Sequence, residues 1–288
     1  MNETRDEQTI LVTGATGGIG EAVTELLLDL GHRVLVHGRT QEKAKTACES
    51  LGTDRAHPVF GDLSDQGEVR RLASQVEETT KNLDVIVNNA GKSFQARHLS
   101  SDGVEMTLAI NVLAPFLLTG LLFPLLSRNA RVVNLVGKYH KNAILDFDDI
   151  QFTKRSYGIW QVANHTQMLR VLFTFELANR LTKSGSAQMA TCVHPGAVLT
   201  DAQKSLSLPL RLFIHTLARP GFVKPHRGAR PIVRLAVGNI QGPLNGLYFE
   251  KHRERKSIES AYEISHQRMC WNRCVELTGA EWPGSLNA

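Results

Sequence analysis

The segment Thr13-Gly14-Ala15-Thr16-Gly17-Gly18-Ile19-Gly20 has the residue types and spacing to hold a phosphate. A short β-branched run, Thr9 to Val12, precedes it, and a helical pattern with Ala22, Val23, Leu26, Leu27 and Leu30 on one face follows, closed by Gly31. Between a strand and a helix, each glycine has a mechanical purpose. Gly14 permits the tight turn, Gly18 lets the backbone approach a pyrophosphate, and Gly20 lets the helix pack close to the sheet. The helix N-terminal amides and dipole then face the phosphates. A second strand, Arg33 to His37, ends in Gly38-Arg39-Thr40. NAD binders usually place an acid there for the ribose hydroxyls. This chain instead offers the Arg39 guanidinium, which can grip a 2′-phosphate by two parallel hydrogen bonds. The expected cofactor is therefore NADPH (NADP+) rather than NADH.

These groups need elements to position them. Helical patterns at 41–51, 69–80, 108–126 and 161–182 alternate with strand patterns at 58–60, 85–87, 131–136 and 188–194. Such alternation predicts an α/β single-domain Rossmann fold over residues 1–288: a doubly wound parallel sheet with helices on both faces. A last strand is expected at 246–249 and a closing helix at 262–277. The stretch from Asp201 to Pro231 has four prolines and an apolar 206–217 segment and interrupts the alternation. It is expected to be a C-terminal substrate lid.

Composition narrows the classes. The chain has 288 residues, 42% hydrophobic and 21% charged, with a net charge of +5; that suits one large globular domain. Six Lys or Arg residues and no acid lie between Arg211 and Arg234. No aromatic platform or recognition helix accompanies them, so a solvated basic face or a cover for an anionic ligand is expected, with no nucleic-acid partner. Cys48, Cys192, Cys270 and Cys274 form no CxxC pair, and the expectation is free thiols and no metal site. The first eight residues lack the apolar core of a signal peptide. The greasy run Leu117 to Leu126 is about half the ~20 residues of a membrane crossing. A cytoplasmic protein with no membrane partner is expected.

Together these motifs resemble the short-chain dehydrogenase/reductases, and most closely their retinol-dehydrogenase-like subgroup. The resemblance covers almost the whole chain. It runs through the glycine turn, Asp62-Leu63, Asn88-Asn89-Ala90-Gly91, Asn111 in Asn111-Val112-Leu113-Ala114-Pro115-Phe116, and Arg131-Val132-Val133-Asn134. It continues through Asp146 to Asp149, Leu172-Phe173-Thr174 and His194-Pro195-Gly196 with Thr200. The resemblance implies that Asp62 and Leu63 touch the adenine, that Asn89, Ala90 and Gly91 touch the adenosine-side ribose, and that Val198 to Thr200 touch the nicotinamide amide. Asn111, Gln167, Pro195 and Gly196 complete the implied cofactor set.

The family's proton handling uses a Tyr phenol as general acid, a Lys four residues later that lowers its pKa, and a Ser that orients the carbonyl. Ungapped alignment back from Leu172-Phe173-Thr174 puts Ala163 at the Tyr position and Gln167 at the Lys position, and the fifth strand puts Val136-Gly137 where the family has Ser-Ser. Asn111 alone of the four family roles is kept, and it is the one catalytic candidate. An alternative register reads Tyr157 to Asn164 as the YxxSKxAN motif, with Gln161 for Lys. It demands a six-residue insertion in the following helix, a turn of roughly 600° that leaves its face about 120° out of phase.

Three readings follow. The first is an atypical NADPH-dependent ketoreductase acting on a polycyclic aromatic polyketide, similar to angucyclinone ketoreductases of antibiotic biosynthesis. A neighbouring substrate hydroxyl would supply the proton, and Gly137 and Ala163 would enlarge the pocket for a flat ketone. Other donors are Ser93, Tyr139, Tyr157 or a water held by Asn111. The second is an NADP(H)-sensing pseudoenzyme, and the third a non-redox lyase or cyclase on the same fold. The expected state is a monomer or homodimer.

Overall fold

A computed structural model describes residues 7–198, 223–240, 242 and 244–286. Its single sheet has eight strands in the order β3-β2-β1-β4-β5-β6-β7-β8. The strands are β1 (Thr9–Val12), β2 (Arg33–Gly38), β3 (Ala56–Phe60), β4 (Leu83–Asn88), β5 (Leu126–Leu135), β6 (Met189–His194), β7 (Tyr248–Glu250) and β8 (Arg253–Arg255). All neighbours pair in parallel except β7 and β8. The chain winds outward one way through β1, β2 and β3, then crosses back to β4 beside β1. That reversal opens a crevice at the carboxyl ends of the strands, where open α/β sheets bind ligands.

The helices follow from the apolar patterning. They are α1 (Gly18–Asp29), α2 (Gln41–Leu51), α3 (Gln66–Thr79), α4 (Met106–Leu108), α5 (Ala114–Leu122), α6 (Ile159–Lys183), α7 (Pro225–Val237) and α8 (Ile264–Thr278). Successive strand residues point to opposite faces, and both faces are buried. Ile10, Val12, Val34 and Val36 pack under α1 and α7. Leu11, Leu35 and Ile86 pack with residues of α3, α5, α6 and α8. Side chains such as Leu27 and Leu72 are fully buried, each contributing about 2 kcal/mol relative to exposure.

Several expectations need correction. The apolar stretch Met106–Leu125 is 20 residues long and apolar enough by composition to cross a membrane, and 72% of its most apolar window is buried inside the fold. It is longer than the 117–126 run because α4 and α5 join through a π-helical segment, Ala109–Leu113. The strand β5 begins at Leu126, five residues before the expected start, where Leu83 pairs with Leu126 ahead of a register shift. Residues 225–231, expected in the lid, belong to α7. That helix tolerates Pro225 in its first turn, where the lost N–H has no partner to lose. The antiparallel strand β8, fully exposed, was not foreseen. Val223 and Lys224 lead into α7, while residues 201–222 of the expected lid, and Thr200, lie outside the described residues.

Candidate active site

The glycine turn sits directly beyond β1, beside the end of β4. Gly14 has φ +64°, a left-handed conformation suited to glycine. A Cβ at Gly20 would collide with the Gly14 carbonyl oxygen, so only glycine lets α1 start this close to the turn. Gly17 is exposed, and a Cβ there would meet nothing within 4 Å. The turn thus presents open space to the first amides of α1, whose dipole favours an anion there. That open cradle and helix start fit a pyrophosphate.

Side chains hold the turn from both sides. Asn89 Nδ2 donates to the carbonyls of Thr13 (2.9 Å) and Gly14 (3.2 Å). Thr13 Oγ1 accepts from the N–H groups of Asn89 (3.0 Å) and Ala90 (3.1 Å). From β2, His37 Nδ1 accepts from the Gly14 N–H at 3.0 Å while Nε2 contacts the Gly61 carbonyl at 3.0 Å. An accepting Nδ1 with a donating Nε2 fixes a neutral tautomer. Burial accordingly pulls the His37 pKa down from 6.5 to about 4. Thr16 packs its methyl at the Gly38 backbone, and Ile19 sits half-buried in the first turn of α1.

Beyond β2 an open groove of about 470 Å³ is lined by Arg39, Thr40, Asp62, Ser64, Asp65, Glu68 and Ser101. Arg39 is exposed there and has no hydrogen bond or ion pair among the described residues. Asp62 accepts from the Ser64 backbone N–H (2.9 Å) and hydroxyl (2.7 Å), which shapes the turn after β3. Leu63 is buried beside it.

On the other side of the crevice, the π-helical segment carries Asn111. Such bulges insert one residue and re-aim a side chain. Asn111 Oδ1 accepts from the Lys92 N–H at 2.8 Å, bracing the loop after Gly91, and its Nδ2 reaches Thr166 Oγ1 at 3.5 Å. The helix α6 runs unbroken from Ile159 to Lys183, so Ala163, Gln167 and Arg170 share the face toward Asn111 and the β4 and β5 ends. Gln167 Oε1 accepts from the Gly137 N–H at 2.7 Å, which leaves its Nε2 as the available donor. Ala163 is buried, at 6% exposure.

Tyr157 precedes α6. Its hydroxyl donates to Glu105 Oε1 at 2.8 Å and meets Thr107 Oγ1 at 3.1 Å. Glu105 is buried and itself caps α4 by accepting from the Thr107 and Leu108 N–H groups. Burial and this carboxylate push the Tyr157 phenol well above its ordinary range. Tyr157 is therefore a brace between the α4 cap and the entry to α6.

Gly137 does not leave the void that its lack of a side chain suggests. A Cβ placed on it would meet the Tyr139 ring, with Cδ2 and Cζ both at 2.7 Å. Tyr139 also meets Trp160 edge-to-face, with ring centroids 6.2 Å apart and planes at 73°. Desolvation raises the Tyr139 pKa, so its hydroxyl stays protonated at neutral pH. The pocket-enlarging role expected of Gly137 is thus corrected: a neighbouring aromatic ring fills the space.

Two contributors escape motif reading. His37 looks like an ordinary strand residue, and Arg170 interrupts an apolar helix face. Fully buried, Arg170 donates from Nη2 to the Asn88 carbonyl (2.7 Å) and from Nη1 to the Ala90 carbonyl (3.2 Å). It props the Asn88–Gly91 loop from beneath. The only legible signal was a cation where periodicity demands an apolar residue. At the far side, Pro195 and Gly196 follow β6. Gly196 has φ +101° and the Lys251 side chain lies over it. Val198 is buried and pairs by a bridge with Val223.

The short chain dehydrogenase family model matches residues 8–144. Human retinol dehydrogenase 13 is 30% identical over 286 residues, which span 96% of this chain and 86% of that protein. Among solved structures, an uncharacterised protein from Mycobacterium paratuberculosis superposes with TM-score 0.79 at 25% identity, covering 96% of this chain and 95% of the other. The angucycline C-6 ketoreductase LanV with bound NADP superposes with TM-score 0.67 at 21% identity, covering 85% and 93%, a likeness of fold.

Proposed function

The chain belongs to the short-chain dehydrogenase/reductase family, and from that premise we propose that it is an NADPH-dependent ketoreductase without the family's Tyr-Lys acid. Its substrate is a ketone of a polycyclic aromatic polyketide, angucyclinone-like, made in antibiotic biosynthesis. The fold likeness to LanV, whose structure holds NADP, is in keeping with it.

One observation carries the reading. The glycine turn of the cofactor cradle is braced by His37, Asn89, Thr13 and Arg170, while α6 carries Ala163 and Gln167 at the positions that the sequence alignment assigns to the family's Tyr and Lys. The Tyr157 hydroxyl is already engaged, donating to Glu105.

When bound, NADPH supplies the hydride. The amides at the start of α1 would hold the pyrophosphate, Arg39 would grip the 2′-phosphate, and Gln167 Nε2 would offer a hydrogen bond to a ribose hydroxyl. The carbonyl carbon gains the hydride as the C=O π pair moves to oxygen. That oxygen takes a proton from the substrate's own peri-hydroxyl, which water then reprotonates. Holding the two reactants in contact performs most of the catalytic work.

The test is deuteride transfer from labelled NADPH to a peri-hydroxylated polycyclic ketone, read by mass spectrometry of the product. One deuterium on the carbinol carbon supports the reading. Tight NADPH binding with no transfer to any ketone of a broad panel would replace it with the sensor, and product formed without cofactor oxidation with the lyase.

A further inference from the structure

We propose that Tyr139 has taken over the place left by the family's serine, and that its hydroxyl donates the hydrogen bond that orients the substrate carbonyl. The inference rests on the ketoreductase reading and names the residue that meets the ketone.

The geometry starts at Gly137. It lies two residues past the end of β5, on the carboxyl edge of the parallel sheet where ligands bind. Its backbone is pinned at both ends. Gln167 Oε1 accepts its N–H at 2.7 Å, and its carbonyl accepts from His140 Nδ1 at 2.8 Å and from the His140 N–H at 3.2 Å. His140 is itself buried, and its Nε2 meets Ser257 Oγ at 2.9 Å. A donating Nδ1 makes Nε2 the acceptor, so this is a neutral histidine clamped on both sides. Tyr139 lies inside this tight 3-10 turn, so its backbone is held, and its ring is bounded by Gly137 on one side and Trp160 on the other.

The ring lies where a side chain on residue 137 would stand. Tyr139 Cδ2 and Cζ are each 2.7 Å from that Cβ position. The hydroxyl oxygen is one bond beyond Cζ, within about 4 Å of the same point on standard bond lengths. Any residue larger than glycine at 137 would drive the ring out, so Gly137 and Tyr139 belong together as a pair. The hydroxyl has no hydrogen-bond partner among the described residues. Tyr139 is 44% exposed and is flanked by the half-exposed Trp160. A free donor on a ring held by a fixed turn at this edge is what a substrate carbonyl requires. The two rings also offer apolar faces and edges suited to a flat aromatic guest.

The experiment compares the parent with Tyr139→Phe, which keeps the ring and loses only the donor. With NADP+ present, so that nothing turns over, binding of a peri-hydroxylated polycyclic ketone is measured by calorimetry. In parallel, kcat and KM are measured with NADPH. Tyr139→Phe should weaken ketone binding about tenfold and lower kcat by about 10²-fold, as loss of a donor aimed at a developing oxyanion does, with NADPH affinity unchanged. A pairwise swap adds a second arm: Gly137→Ser alone should be as damaging as Tyr139→Ala, while Gly137→Ser with Tyr139→Ala should recover much of the loss. Equal ketone affinity and equal kcat in Tyr139→Phe overturn the proposal even if the parent is a good ketoreductase. Weakened ketone binding in a parent that transfers no hydride keeps the proposal and discards the reductase reading.

Discussion

His37 Nδ1 accepts the backbone N–H of Gly14 at 3.0 Å, so a strand histidine and the phosphate-binding turn form one unit. The contact exists only while the imidazole is neutral. Its pKa falls from 6.5 to about 4 on folding, through burial, against the smaller pull of the Gly61 carbonyl and Asp62. Between those values the unfolded chain binds the proton and the native one does not. The stability from this group is thus fully present above pH 6.5 and is lost as pH falls toward 4. The span corresponds to about 3 kcal/mol. His37→Gln should flatten the decline of the urea midpoint between pH 7 and 4.5. The buried His140 and His165, lowered to about 4 and about 3, retain part of it. An unchanged slope would separate His37 from the acid response.

Arg39 is exposed beside the groove that follows β2 and has no partner among the described residues. Arg39→Ala should raise the KM for NADPH by about 10- to 100-fold, the value of a charge-assisted two-pronged contact, and leave that for NADH nearly unchanged. Steady-state kinetics with both nucleotides decide the matter; equal losses discard the phosphate role.

Arg170→Met should lower stability by about 3 kcal/mol and weaken nucleotide binding together. Removing the guanidinium strands the carbonyls of Asn88 and Ala90 in a buried site. Burial draws the Arg170 pKa down to about 10, so the side chain is still charged at neutral pH. Chemical denaturation with and without NADP+ checks it. A variant as stable as the parent with full affinity would show the loop to be self-supporting.

Gly20→Ala should cost about 1–3 kcal/mol through overpacking, because the new methyl meets the Gly14 backbone rather than a flexible side chain. Gly17→Ala, facing open space, should fold nearly as well as the parent and lose nucleotide affinity instead. The contrast between melting temperature and calorimetric affinity separates the packing glycine from the ligand-facing one.

Restoring Tyr at 163 together with Lys at 167 tests the source of the proton. If the substrate hydroxyl provides it, Ala163→Tyr with Gln167→Lys should not accelerate reduction of the peri-hydroxylated ketone, and the added ring should raise its KM. A large gain in kcat would show that the parent site had merely lost its acid.

Much of the architecture was legible because glycine turns and apolar alternation are local signals. The turn at Gly14 to Gly20, the strands feeding it and the unbroken α6 were all readable from spacing. Ala163 and Gln167, four residues apart on that helix, share one face. What spacing could not convey was contact across the sequence. Tyr139 reaching back over Gly137, His37 reaching to Gly14 and Arg170 reaching under Ala90 join residues 2, 23 and 80 positions apart. The first alters the meaning of a glycine that read as empty space. The π-helical segment around Asn111 was equally hidden, since one inserted residue barely disturbs an apolar pattern. The reversed strand β8 escaped because Arg253-Glu254-Arg255 carries no apolar face at all.

That last strand has a consequence for how copies of the chain meet. A sheet ending on β7 would expose a row of unpaired amides and carbonyls able to recruit another molecule's backbone. Here the border is a three-residue ribbon of alternating positive and negative side chains, all solvated. Lengthening the sheet past it would bring like charges of two molecules together and strip water from them. This border of the sheet is thereby guarded against edge-to-edge pairing with the backbone of another molecule.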